Sequence, residues 1–230
     1  GIEAAALAAA GLDASPDALD GKAGLLAALG GPGQADLATP PVDDLPTRTL
    51  RQRPGIKQYP VCYAAHRVVD GVLDLAAAHA VQADQVARVD ATISPTTAGV
   101  LRHHAPATLV EARFSLEFTV AAALRDGALG LREVSQASLA DPQIRALMPR
   151  VHTHTIDTRC PLEPSFAFED RVVLTLADGR VLDSGPIRFA RGHAQRPLTA
   201  EQVQAKLFAC APADDQDVAR ATLARIDQAL

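Results

Sequence analysis

A chain of 230 residues, 48% of them hydrophobic, has material for one large domain or two small ones. A net charge of −5 and the lack of a basic stripe argue against nucleic-acid binding. No run of about 18 apolar residues is present to span a membrane. Cys62, Cys160 and Cys210 lie too far apart for a CxxC-type zinc site and read as reduced thiols of a cytoplasmic protein.

Aromatic residues make up 3% and alanine dominates the apolar fraction, which favours close-packed helices over sandwiches of large side chains. The apolar start, Gly1 to Gly11, lacks a basic flank and a cleavage pattern, so it is not read as a signal peptide. Without an initiating methionine, the chain is expected to begin inside a longer protein or to be processed. Ile2 to Ala10 is helical in propensity, with Gly11 as its stop. Ser15-Pro16-Asp17 reads as a helix start, and Lys22 to Leu29 as a further short helix. Gly30-Gly31-Pro32-Gly33 lacks the spacing and the preceding strand of a phosphate-binding loop. Thr39 to Pro54, rich in proline, reads as a linker or domain crossing.

Lys57-Gln58-Tyr59-Pro60-Val61-Cys62 follows, then a helix from about Tyr63 to Ala80 with Val68, Val69, Val72, Leu73 and Leu75 on its apolar face. Val86 to Ser94 alternates as a half-buried strand, with Ala87, Val89, Ala91 and Ile93 on one side. Phe114 to Asp126 is a helix closed by Gly127, and Asp141-Pro142 opens a short one. Val151 to Ile156 alternates again. Arg171 to Leu176 and Arg180 to Asp183 flank Asp178-Gly179, a hairpin signal. Thr199 to Cys210 is a helix whose Thr199 and Gln202 match a capping box. Asp214 to Leu230 is the last helix. The order predicts an α+β protein: a partial helical domain, about 1–50 and 196–230, interrupted by a smaller lid-like α+β domain, 51–195.

Several polar groups invite chemistry. His103-His104 and His152-Thr153-His154 suggest metal, and residues 152 and 154 share a strand face. No third ligand accompanies them, so no metal site is assigned. Ser115 has no G-x-S-x-G frame and reads as a cap or packing residue. The chain's lysines are Lys22, Lys57 and Lys206. On spacing alone, Lys57 is a surface lysine.

The run Lys57 to Cys62, with His66 four residues on, resembles the K-x-[YF]-P-x-x…H signature of the MmgE/PrpD family. Glu111-Ala112-Arg113-Phe114-Ser115-Leu116 with Ala121 to Leu124 and Gly127 resembles the family's EAxFSxxY–xAxAL–G helix, with Phe118 where that pattern has tyrosine. Gly192-His193, Arg196 to Thr199 and Lys206-Leu207-Phe208 resemble its closing motif. Ala4 to Gly11 and Leu19 to Gly24 resemble its ALA-x-x-G…LEG-x-x-G run.

The resemblance implies the C-terminal half of a lyase or isomerase acting on small di- or tricarboxylates. Relatives include 2-methylcitrate dehydratase, cis-aconitate decarboxylase and iminodisuccinate epimerase. Such chemistry takes a proton from beside a carboxylate and stabilises the enolate-like charge that develops. The resemblance implies Lys57 and Cys62 as catalytic residues and Lys57, Tyr59 and His66 as substrate-binding residues. Lys57 would anchor a substrate carboxylate near a helix N-terminus. Cys62 would give or take a proton, or simply pack. Tyr59 also reads as junction packing, and His66, one turn beyond Cys62, also as a core histidine. The resemblance further implies no cofactor, no metal, a cytoplasmic homodimer, and a principal base in a missing N-terminal half. The other reading is a catalytically incomplete split or degenerate domain that binds that half.

Overall fold

Strand β1 (Val86–Ile93) lies inside a four-stranded mixed sheet of order β2-β1-β3-β4. It runs parallel to β2 (Val151–Thr155) and antiparallel to β3 (Arg171–Leu176), which pairs with β4 (Val181–Asp183). The computed structural model describes residues 1–30, 55–211 and 215–227. The chain divides into two units, Gly1–Gln52 and Arg53–Leu230. A small mixed sheet among many helices makes the chain α+β, as the sequence predicts.

In the first unit, α1 spans Ile2–Ala9. It stops at Gly11, whose φ of +92° suits glycine, while Leu12 N–H reaches back to the Leu7 carbonyl (2.9 Å). The helix predicted to open at Ser15 does not form. Ser15 closes only a turn to Ala18, and turns continue until α2 (Leu25–Gly30) begins. Gly21 and Gly24 supply the reason: two glycines in one short run cost more backbone entropy than a helix this brief recovers. The glycine cluster beyond Gly30 and the proline-rich stretch to Pro54 lie outside the described residues.

The second unit is built around α3 (His66–His79) and α6 (Leu116–Asp126). Tyr63–Ala65 is a 3-10 turn leading into α3, so the helix predicted from Tyr63 starts three residues later. Val68, Val69, Val72 and Leu75 of α3 are buried, and the helix packs on β3 and on α6. Gly71 permits the close approach: a Cβ there would lie 2.6 Å from Ile187 Cδ1 and 3.0 Å from Val172 Cγ2. Every residue of α6 from Leu116 to Leu124 is buried, between α3, β2 and a later helix. Ser115 caps it, accepting from Phe118 N–H, and Gly127 ends it at φ +64°.

The parallel pairing of β1 and β2 needs a long crossover. It contains α4 (Pro95–Val100), α5 (Leu109–Ala112), α6, α7 (Gln136–Ala140) and α8 (Pro142–Leu147). Helices α4, α5 and α7 run four to six residues, too short for periodicity to reveal. Each opens on a side-chain cap: Ser94, the Thr108/Glu111 capping box, and Ser135.

The predicted inward face of β1 holds for Val89, Ala91 and Ile93, but Ala87 is exposed and Val86 is buried instead. A register shift against β3 between Val86 and Arg88 turns the strand over at that point. The Asp178-Gly179 turn joins β3 to β4, with Gly179 at φ +87°. Two helices close the unit, α9 (Ala200–Cys210), with the expected Thr199/Gln202 capping box, and α10 (Gln216–Asp227).

Candidate functional site

The segment from Gly55 to Cys62 is an irregular loop stitched to two distant segments. Ile56 N–H donates to the Gly192 carbonyl (2.8 Å), and Cys62 N–H to the Arg113 carbonyl just before α6 (2.9 Å). Gly192 sits at φ +86°, where a Cβ would run into the Ile56 carbonyl. The proline at 60 and these two anchors hold the loop where it enters the 3-10 turn and α3.

Lys57 is exposed and folds back over its own loop, its Nζ donating to the Val61 carbonyl (3.0 Å). It has no carboxylate partner among the described residues. Cys62 is half-buried at the start of the 3-10 turn. Tyr59 and His66 lie deeper. Tyr59 is 3% exposed and its hydroxyl donates to Asp70 Oδ1 (2.5 Å). Burial, reinforced by that carboxylate, pushes its phenol well up.

His66 is fully buried between aromatic rings, 5.0 Å from Tyr59 and 5.1 Å from Tyr63 by ring centroids. The carbonyls of Val61 and Tyr59 face the imidazole, yet neither ring nitrogen makes a well-aligned hydrogen bond. Burial, with the nearby Lys57 ammonium, pushes His66 down to about 4 despite those carbonyls, and Lys206 of α9 pushes the same way. Of the four predicted residues, Lys57 is exposed, Cys62 is half-buried against the core, and Tyr59 and His66 are buried.

Behind this row lies a buried ionic network that no motif signals. Asp70 is fully buried. It receives Tyr59 on Oδ1, and Arg191 N–H (2.7 Å) and Arg196 Nη1 (3.2 Å) on Oδ2. One residue past His66, the buried Arg67 reaches Glu163 Oε2 (2.6 Å), the Ala167 carbonyl (3.0 Å) and Asp170 Oδ1 (3.7 Å). Its guanidinium lies 4.4 Å from the Phe166 ring centroid. Burial pushes Asp170 up to about 7, although Arg67 opposes the shift. Burial also pushes the Cys160 thiol up, but the N–H groups of Glu163 and Leu162, with Arg67, hold it below its ordinary value.

A family model for the MmgE/PrpD C-terminal domain matches residues 59–228. The chain belongs to the MmgE/PrpD family. Cys62, His66 and Lys206 lie inside the matched stretch and Lys57 two residues before it. Comparison with curated proteins gives no match.

The MmgE/PrpD motif loop is not part of any of the four described cavities; the largest, about 650 Å³, is lined by other residues. One histidine of each pair is hydrogen-bonded through one ring nitrogen. His104 Nδ1 bonds Glu117 Oε1 (2.7 Å) and His154 Nε2 bonds Asp90 Oδ1 (2.6 Å). Among the described residues, no group of three or more His, Cys, Asp or Glu side chains is disposed to hold a metal ion, and no helix is long and apolar enough to cross a membrane. The motif loop therefore holds an ammonium without a carboxylate partner among the described residues, and a half-buried thiol packed against the hydrophobic core. An ammonium of this kind can bind a carboxylate.

Proposed function

We propose that the chain contributes to an MmgE/PrpD-type lyase or isomerase acting on small di- or tricarboxylates, in the manner of 2-methylcitrate dehydratase. The supporting observation is the Lys57 ammonium, lacking a carboxylate partner among the described residues, held by the Val61 carbonyl next to Cys62. A substrate carboxylate replaces the missing counter-charge on Lys57. With one carboxylate neutralised, the neighbouring C–H becomes easier to ionise, and the positive site stabilises the enolate-like charge that forms. Cys62 stands next in the row as proton donor or acceptor. Tyr59 and His66 hold the loop from behind, the latter as a neutral ring that leaves the positive charge to the lysine.

A second reading is that the chain is catalytically incomplete and binds an N-terminal half that supplies the base. Helix α9 favours it, since none of its residues is fully buried within this chain.

The test is an assay with 2-methylcitrate and cis-aconitate, following unsaturated product by absorbance, with the chain alone and with a family N-terminal domain added. Turnover only on addition supports both the activity and the incompleteness. Turnover by the chain alone rejects the incompleteness. Silence in both arms, with association of the two pieces confirmed, rejects the activity.

A further inference from the structure

Away from the motif loop, the cavity of about 650 Å³ is lined by Leu139 of α7, Met148, Val151 of β2, His104, Glu117 of α6 and Arg145 of α8, among others. Its volume falls within the roughly 300–1,000 Å³ of small-molecule sites, and it has their composition of apolar walls with a few polar groups.

Those polar groups are specifically disposed. Glu117, only 9% exposed, accepts the Ser115 hydroxyl on Oε2 (3.3 Å) and faces His104 Nδ1 across 2.7 Å on Oε1. The other ring nitrogen of His104, Nε2, has no partner among the described residues. Arg145 uses Nε on the Leu139 carbonyl (3.0 Å). Its two Nη groups have no partner among the described residues, which leaves a carboxylate-matching fork. One charge of each sign on an apolar wall suits a ligand that also carries both. A simple anion would meet Glu117, and a simple cation would meet Arg145.

We propose that this cavity binds a small α-amino acid with an apolar side chain. Its carboxylate sits on the Arg145 fork. Its ammonium donates to His104 Nε2 and the Glu117 carboxylate. The side chain covers Leu139, Met148 and Val151. The site is independent of the lyase reading and needs no turnover to be seen.

The experiment is calorimetric or NMR titration of the 230-residue chain with L-leucine, 4-methylpentanoate and 3-methylbutylamine. Leucine saturates the site in the millimolar range, and each one-charge analogue binds about tenfold more weakly or worse. Arg145→Met keeps the stem of an exposed side chain, so the fold survives, and weakens leucine at least about tenfold. His104→Gln, a second exposed position, weakens leucine and leaves 4-methylpentanoate unchanged. Lack of saturable leucine binding, equal binding by either analogue, or indifference to Arg145→Met in a folded variant overturns the proposal.

Discussion

The Tyr59 hydroxyl donates to Asp70 Oδ1 across 2.5 Å, tying the motif loop to α3 one helical turn beyond His66. The same carboxylate takes the Arg191 backbone N–H and the Arg196 guanidinium. Asp70 is therefore the point where loop, helix and the segment leading to α9 meet. Burial raises its pKa, while Tyr59 and Arg191 oppose the rise. Removing one of these donors leaves a buried acceptor short of a partner.

Tyr59→Phe deletes only the hydroxyl. It is expected to destabilise the fold by about 1–3 kcal/mol, the range for hydrogen bonds to charged groups and for buried groups left unsatisfied. Urea unfolding followed by circular dichroism measures it. A midpoint equal to wild type means the contact contributes nothing.

Arg67→Met strips the cation from Glu163 and Asp170 and is expected to destabilise by about 3–5 kcal/mol. Adding Asp170→Asn should recover part of that loss, because the uncompensated buried charge goes with it. Equal stability of single and double variants rejects the coupling.

Asp170 gives the stability a pH dependence with a definite sign. Its folded value, about 7, lies above the ordinary 3.8, so the folded state holds the proton longer than the unfolded one. Its contribution is fully present below pH 3.8 and is lost as pH rises through 7. His66 acts in the opposite direction: lowered from 6.5 to about 4, it contributes stability above pH 6.5 that is lost as pH falls through 4. Asp170→Asn should flatten the decline toward neutral pH, and His66→Phe the decline toward acid. Unfolding midpoints from pH 4 to 8 test both, and the ring nitrogen shifts of His66 in the unsubstituted chain report its charge. A His66 ring charged at pH 6 contradicts its burial.

Lys57→Ala, in an enzyme completed by its N-terminal part, is expected to lower kcat/KM roughly ten- to a hundredfold, the loss of one charge-assisted contact. Because the residue is exposed, thermal stability should stay unchanged. An unaltered kcat/KM removes Lys57 from the site.

Gly192→Ala places a Cβ against the Ile56 carbonyl at a left-handed backbone position. It is expected to cost about 1–3 kcal/mol and to loosen the motif loop. Hydrogen exchange at Ile56 N–H reads the loosening directly, and wild-type protection there counts against it.

Local patterns carried much of the fold. The alternation of Val89, Ala91 and Ile93, the Asp178-Gly179 turn and the Thr199/Gln202 box are short-range signals, and each stands where periodicity or capping chemistry puts it. The inward reading of Ala87 failed because a bulge depends on what the neighbouring strand does. The Ser15 helix failed because a capping residue cannot offset the glycines that follow it. Lys57, Tyr59, Cys62 and His66 were legible as one family motif. Arg67, Asp70 and Asp170 were not.

The sequence by itself determined the family, the α+β class and the residues of the motif loop, since all of these rest on order and local spacing. Tertiary structure alone decided which of those residues meet solvent and what supports them. Arg67 finds Glu163 at a separation of 96 positions and Asp70 finds Arg191 at 121. The physical reason is that burial of a charge is a property of everything packed around it. A chain read one residue at a time cannot say which arginine and aspartate will be shut away from water together.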